Sequence, residues 1–199
     1  MDINIINKLF VFWAIFYITP GPVWLSVMEA TRNLTVTEVL RFFFRVFLTV
    51  NLSIQVSQAI ICVVFVELIS QLFSDIGMWF YLLGSAYTAY LSYKVFKSKQ
   101  LKTNLNLTVY NLAIIMLLSP KIWLLFPSGA VIATQLNQGI IVNSLIFAVM
   151  MLLVSNLLFV LYVFIGKLGT KLLKDNFAYL SCFLLALFSV FLLLEGMNL

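Results

Sequence analysis

Polar and apolar positions along this chain do not alternate. The apolar ones gather into six long blocks, at about 9–28, 42–66, 76–93, 109–131, 140–165 and 177–195. A helix that crosses a bilayer needs about 20 mostly apolar residues, so each block predicts one spanning helix. The lack of alternation argues against a membrane barrel. Short linkers join the blocks and leave no room for a separate soluble domain, so a single transmembrane domain is expected over residues 1–199. The first block is not expected to be a cleaved signal peptide. It lacks a basic leader and a small-x-small cleavage site, and it is too long for the apolar part of one.

Two blocks interrupt themselves. The first contains "YITPGPVWLS", Tyr17 to Ser26, with Pro20, Gly21 and Pro22 in a row. Proline has no N–H, and its ring clashes with the carbonyl one turn back, so carbonyls around Phe16 to Ile18 lose their usual donors. Gly21 leaves room for a ligand or a neighbouring helix to approach the backbone. A second half-helix is expected from Pro22, with free N–H groups and a positive dipole end. Such backbone is tolerated at membrane depth only where protein buries it or it lines a wet cavity.

The fourth block contains "LLSPKIWLLF", Leu117 to Phe126. With one gap, "TPGPVWL" and "SPKIWL" both read Ser/Thr-Pro and then Val/Ile-Trp-Leu, about 100 residues apart. Three is odd, so a three-helix unit repeated once reverses its direction in the membrane. The expected fold is all-α and integral to the membrane: six transmembrane helices as an inverted repeat of two three-helix units, residues about 1–100 and 101–199, with helices 1 and 4 broken near the midplane. Inverted repeats of this kind place a substrate site where the breaks meet. A kink that serves packing alone is the alternative.

Composition fixes the solvent. The chain is 63% hydrophobic and 10% charged, with mean hydropathy +1.10, against about 25% charged residues in soluble domains. The net charge of +5 comes from linkers, not from a nucleic-acid face. Arg32, Arg41 and Arg45 mark the first linker, Lys94, Lys97, Lys99 and Lys102 the third, and Lys167, Lys171 and Lys174 the fifth. Basic residues concentrate on the cytoplasmic side, so the odd linkers are expected inside and both termini outside, in a bacterial inner membrane. Only Lys8 and Lys121 stand apart. Without histidine, His-ligated metals and His proton relays are excluded, and no metal or cofactor is expected. Cys62 and Cys182 fall near opposite membrane faces and are not expected to pair.

Lys121 is the sharpest candidate. It lies ten residues beyond Asn111, about 15 Å along a helix and so near the middle of a core about 30 Å thick. A charge there is costly and usually faces a cavity or a partner; snorkelling, the alternative, is awkward from the centre. Asn51, Gln55 and Gln58 fall within an arc of roughly 60° on one helix. They read as a pathway wall or as helix–helix hydrogen bonding. Asn156 is a weaker candidate of the same kind. Gly84, Thr88 and Ser92 have the spacing of close packing. Of the acidic residues, Glu29 lies nearest the first break, about two turns away, and is the coupling candidate.

Three motifs in order resemble the lysine-exporter family of amino-acid efflux proteins (the LysE/RhtB type). "TPGP" is similar to its first motif, "LLGSAYTAYLSYKVFKSK" to its third-helix pattern, and "LSPKIWLLF" to its Asn-Pro-Lys-Ala motif. The resemblance covers the full chain. It implies export of amino acids or related small metabolites, driven by the proton gradient, with Pro20, Gly21, Pro22, Pro120 and Lys121 at the substrate. The chain departs from the family at Val23, where Asp or Asn is usual, and at Ser119, where Asn is usual. Arg41 and Arg45 stand where the second helix is usually glycine-rich. The expected partners are a small-molecule substrate, amino acids first, and the lipid bilayer. Self-association stays open, and no nucleic acid is expected. The competing reading is a diverged member that acts as a non-transporting scaffold or accessory subunit. An intramembrane enzyme is disfavoured by the lack of a metal-ligand cluster, a Gly-x-Ser-x-Gly motif or paired carboxylates.

Overall fold

The computed structural model describes residues 3–100, 105–173 and 176–197. It is helical throughout, with no strand among the described residues. The chain runs through α1 (Ile3–Ile18), α2 (Pro22–Thr31), α3 (Val36–Val64), α4 (Val66–Gln100), α5 (Val109–Leu117), α6 (Pro120–Thr134), α7 (Ile140–Leu173) and α8 (Asn176–Met197). The order is a broken pair, two long helices, a second broken pair and two more long helices. Lys102 and Lys174 lie outside the described residues.

Both expected breaks are present. α1 and α2 meet at 62°, and α5 and α6 at 51°. Pro22 is the first residue of α2 and Pro120 the first of α6. A missing N–H is harmless there, because the first turn has no intrahelical acceptor for it. Gly21 caps α2 in an extended conformation, φ −153° and ψ 179°, and its carbonyl accepts the bond from Leu25 N at 3.0 Å.

α3 starts on a capping box. Glu38 Oε2 accepts from Thr35 N and from Thr35 Oγ1, each at 2.8 Å, while Thr35 Oγ1 accepts from Glu38 N. Two π-helical turns interrupt it, at Phe43–Phe47 and Asn51–Gln55. Such turns are rare, and many mark functional positions.

α3 and Ile140–Leu172 of α7 are each long and apolar enough to cross a membrane alone, and the two bent pairs bring the candidates to four. The blocks at 76–93 and 177–195 fall within α4 and α8, which pack along one another. There Ser85 and Ser189 exchange hydroxyl-to-carbonyl bonds at 2.9 Å each way, and Ser92 Oγ donates to Cys182 O at 2.9 Å. Thr88 Oγ1 turns back to Gly84 O. The small-residue stripe is therefore a packing seam. Cys62 and Cys182 are free thiols.

α7 touches α1, α2, α3 and α6. Between them lies an aromatic core, in which Trp13 meets Phe126 at 4.9 Å and Phe147 at 4.7 Å between ring centroids. On its other side α7 exposes Leu153, Leu157, Val160 and Phe164. A run of large exposed side chains suits hydrocarbon as solvent and not water.

Candidate functional site

The broken end of α1 is completed by other helices. The last regular bond there is Thr19 N to Ile15 O, at 3.2 Å. The carbonyls of Phe16 and Ile18 then have no donor from their own helix because Pro20 and Pro22 carry no N–H, and those of Tyr17 and Thr19 have none because the helix ends at Ile18. Lys121, the second residue of α6, donates Nζ to Phe16 O and, at 2.9 Å, to Thr19 O. Its ammonium also lies 4.5 Å from the centroid of the Phe16 ring, within cation–π range. Tyr162 of α7 donates its hydroxyl to Ile18 O at 2.8 Å and to Tyr17 O at 3.3 Å. All four oxygens find partners, and a cation sits at the negative end of the α1 dipole.

At the second break the side-chain bond comes from within the pair itself. Trp123 Nε1 of α6 donates to Leu117 O at 2.7 Å. Its counterpart in the sequence match, Trp24, stacks on Tyr162 instead, with ring centroids 4.6 Å apart and planes 9° apart. The two halves share a motif and use its tryptophan differently.

A cavity with about 30 Å³ open to water-sized spheres lies between the breaks, walled by Tyr17, Gly21, Pro22, Gln55, Ser119 and Lys121 among others. A second, of about 20 Å³, lies on the other side of Pro22, Ser119 and Lys121, toward Tyr87 and Thr88. At roughly 10–15 Å³ for one water, each has room for one or two waters. Drug-sized ligand sites run to about 300–1,000 Å³. A metabolite would need the helices to part.

The other sequence candidates divide. Gly21 and Pro22 are buried at the cavity and Pro20 is exposed. Pro120 occupies the start of α6, and its side chain lies outside the described residues. An added Cβ on Gly21 would meet nothing within 4 Å. The glycine is therefore not squeezed by a neighbouring helix; it faces the cavity. Asn51, Gln55 and Gln58 are 0%, 2% and 3% exposed, so the polar stripe faces protein. Only Gln55 reaches the cavity wall, where its Oε1 accepts from Tyr17 OH at 3.0 Å. Asn51 Nδ2 donates to Ser155 Oγ at 3.2 Å. The amide of Gln58 has no hydrogen-bond partner among the described residues. Glu29 is fully buried in an ion pair with Arg32, at 2.8 Å. Asn156 lines a groove between α3 and α7, away from the cavity.

Sequence reasoning missed Tyr17, Tyr162 and Ser155. Tyr17 adjoins the break and could have been found as a polar tip beside it. Tyr162 and Ser155 sit inside the apolar block of α7 with no local mark. Among the described residues no cluster of three Asp, Glu, Cys or His side chains could hold a metal ion.

Comparison with family models, curated proteins and solved structures finds no match.

Proposed function

We propose that this protein is a membrane exporter of amino acids or related small metabolites, of the lysine-exporter type, built as six spans in an inverted repeat. The observation that carries the reading is the clasp between the breaks: Lys121 of α6 holds the freed carbonyls of α1 across a cavity walled by Gly21, Pro22 and Gln55. Two broken helices that meet at depth, with a cation between them, suit a substrate that carries both charges. Its carboxylate competes for Lys121 and for the N–H groups that open α2 and α6. Its ammonium takes the carbonyls that Lys121 gives up. The resemblance adds proton coupling, for which Glu29 is the carboxylate, buried against Arg32. Both termini face outward from the inner membrane.

Two observations favour a non-transporting scaffold. The cavity is small, and main-chain oxygens already satisfy Lys121. Efflux of a radiolabelled amino-acid panel from cells that make the protein separates the two. The exporter reading predicts faster loss of at least one amino acid than from cells without it. Identical loss across the whole panel contradicts that reading.

A further inference from the structure

Buried polar atoms without a partner gather at one end of the bundle. The amide of Gln58 has neither its nitrogen nor its oxygen matched among the described residues, and Trp13 Nε1 and Ser144 Oγ are in the same condition. All three side chains are buried. Buried polar groups are hydrogen-bonded as a rule. An apolar side chain of the same shape in place of Gln58 would stabilise the fold, so packing does not account for the amide.

Helix register places these groups together. α3 runs antiparallel to α7, since Phe47 meets Phe159 and, further along α3, Asn51 bonds Ser155. Two turns beyond Asn51 lies Gln58, and two turns back from Ser155 lies Ala148, next to Phe147. α1 runs parallel to α7, since Trp13 meets Phe147 and Ile18 O accepts from Tyr162. Trp13, Phe147 and Gln58 therefore share a level, about one turn from the Tyr17–Gln55 bond at the cavity wall. Ser144 is about one turn further along α7. α6 and α7 each touch both α1 and the Val56–Val64 stretch of α3, so four helices enclose this level.

An aromatic layer fills it. Trp13, Phe126 and Phe147 are fully buried against one another. The layer caps the cavity on the side of the Ile3 end of α1, the Val64 end of α3, the Thr134 end of α6 and the Ile140 end of α7. In the proposed topology that side is outside. A substrate that leaves outward has to part these rings, and the polar atoms among them then gain partners.

We propose that the Trp13–Phe126–Phe147 layer is the exit gate and that Gln58 is the group a leaving substrate meets as it opens. The inference rests on the exporter reading and adds the route to it. An amide offers donors and an acceptor from one side chain. Gln58 Nε2 donates to the carboxylate of an amino acid, and Oε1 accepts from its ammonium. Trp13 Nε1 is a second donor for the carboxylate. The unmatched amide of the closed form is the one the open form uses.

The test places single cysteines in the full-length chain, with Cys62 and Cys182 changed to alanine, and treats intact cells from outside with a charged, membrane-impermeant methanethiosulfonate. Gln58→Cys and the near-isosteric Ser144→Cys should be labelled, because the opening layer wets both. Leu52→Cys, on the exposed face of α3, should not. Gln58→Met keeps the length of the side chain and removes the amide. It should raise the melting temperature of the purified protein and lower efflux of the radiolabelled amino-acid panel about tenfold, the loss of one hydrogen bond to the passing substrate. A packing role alone would move stability and leave efflux unchanged. Full efflux from Gln58→Met overturns the proposal, as does absence of label at both Gln58→Cys and Ser144→Cys in cells that export. A parent that exports nothing from the panel contradicts the exporter reading itself, and labelling then decides on its own whether the layer opens.

Discussion

The ammonium of Lys121 is held by main-chain oxygens of another helix, and Tyr162 holds the oxygens between them. Each contact joins the first half of the chain to the second. In a dry interior a carbonyl left without its donor costs roughly 1–3 kcal/mol. Tyr162→Phe keeps the ring and its stack on Trp24 but takes the donor from Ile18 O and Tyr17 O. It should insert normally and lower the melting temperature of the purified protein; an unchanged melting temperature would mean the hydroxyl holds nothing. Gly21→Ala tests the cavity. Its φ suits any residue and its Cβ meets no atom within 4 Å, so stability should move by no more than about 0.5 kcal/mol. The added methyl enters the space a substrate would use, and efflux should fall. Full efflux from Gly21→Ala would show that substrate does not approach that backbone.

The elements differ in how much of them the sequence reveals. Both breaks are legible because proline acts on its own helix: it removes a donor and blocks a carbonyl wherever it sits. Lys121 stands out because a charge in an apolar block is costly in every fold. The partners of the freed carbonyls are not legible, since Tyr162 reaches α1 from 144 residues away. The π turns of α3 are equally hidden, because packing and not composition places the extra residue. α4 outruns its apolar block, reaching Gln100 where the block ends near 93, because hydropathy reports the thickness of the lipid and not the end of a helix. The start of α3 is a local signal, Thr35 with Glu38 three residues on, and the capping box forms there. Thr35→Ala should destabilise the protein by about 1 kcal/mol, read by thermal unfolding; no change would mean that this end of α3 adds nothing to stability.

At the scale of the whole molecule, the order of broken, long and long helices occurs twice, and the clasp joins the two sets across the α1–α2 and α5–α6 breaks. In the proposed topology the basic linkers face the cytoplasm. Cysteines placed at Lys99 and Lys171 should be shielded from membrane-impermeant thiol reagents in intact cells, and labelling of either from outside would invert the proposed topology. The central claim is that the clasped breaks are where substrate is carried. Efflux by cells making the Lys121→Met variant tests it most directly, with insertion and yield checked in the same membranes. Met keeps most of the stem and loses the charge, so Phe16 O and Thr19 O lose their donor and a substrate carboxylate loses its cation. Lys121→Arg keeps the charge with a larger, flatter head group and should retain part of the activity. The account predicts that Lys121→Met is inserted and abolishes efflux. Efflux equal to the parent's from an equal amount of inserted Lys121→Met protein would contradict it.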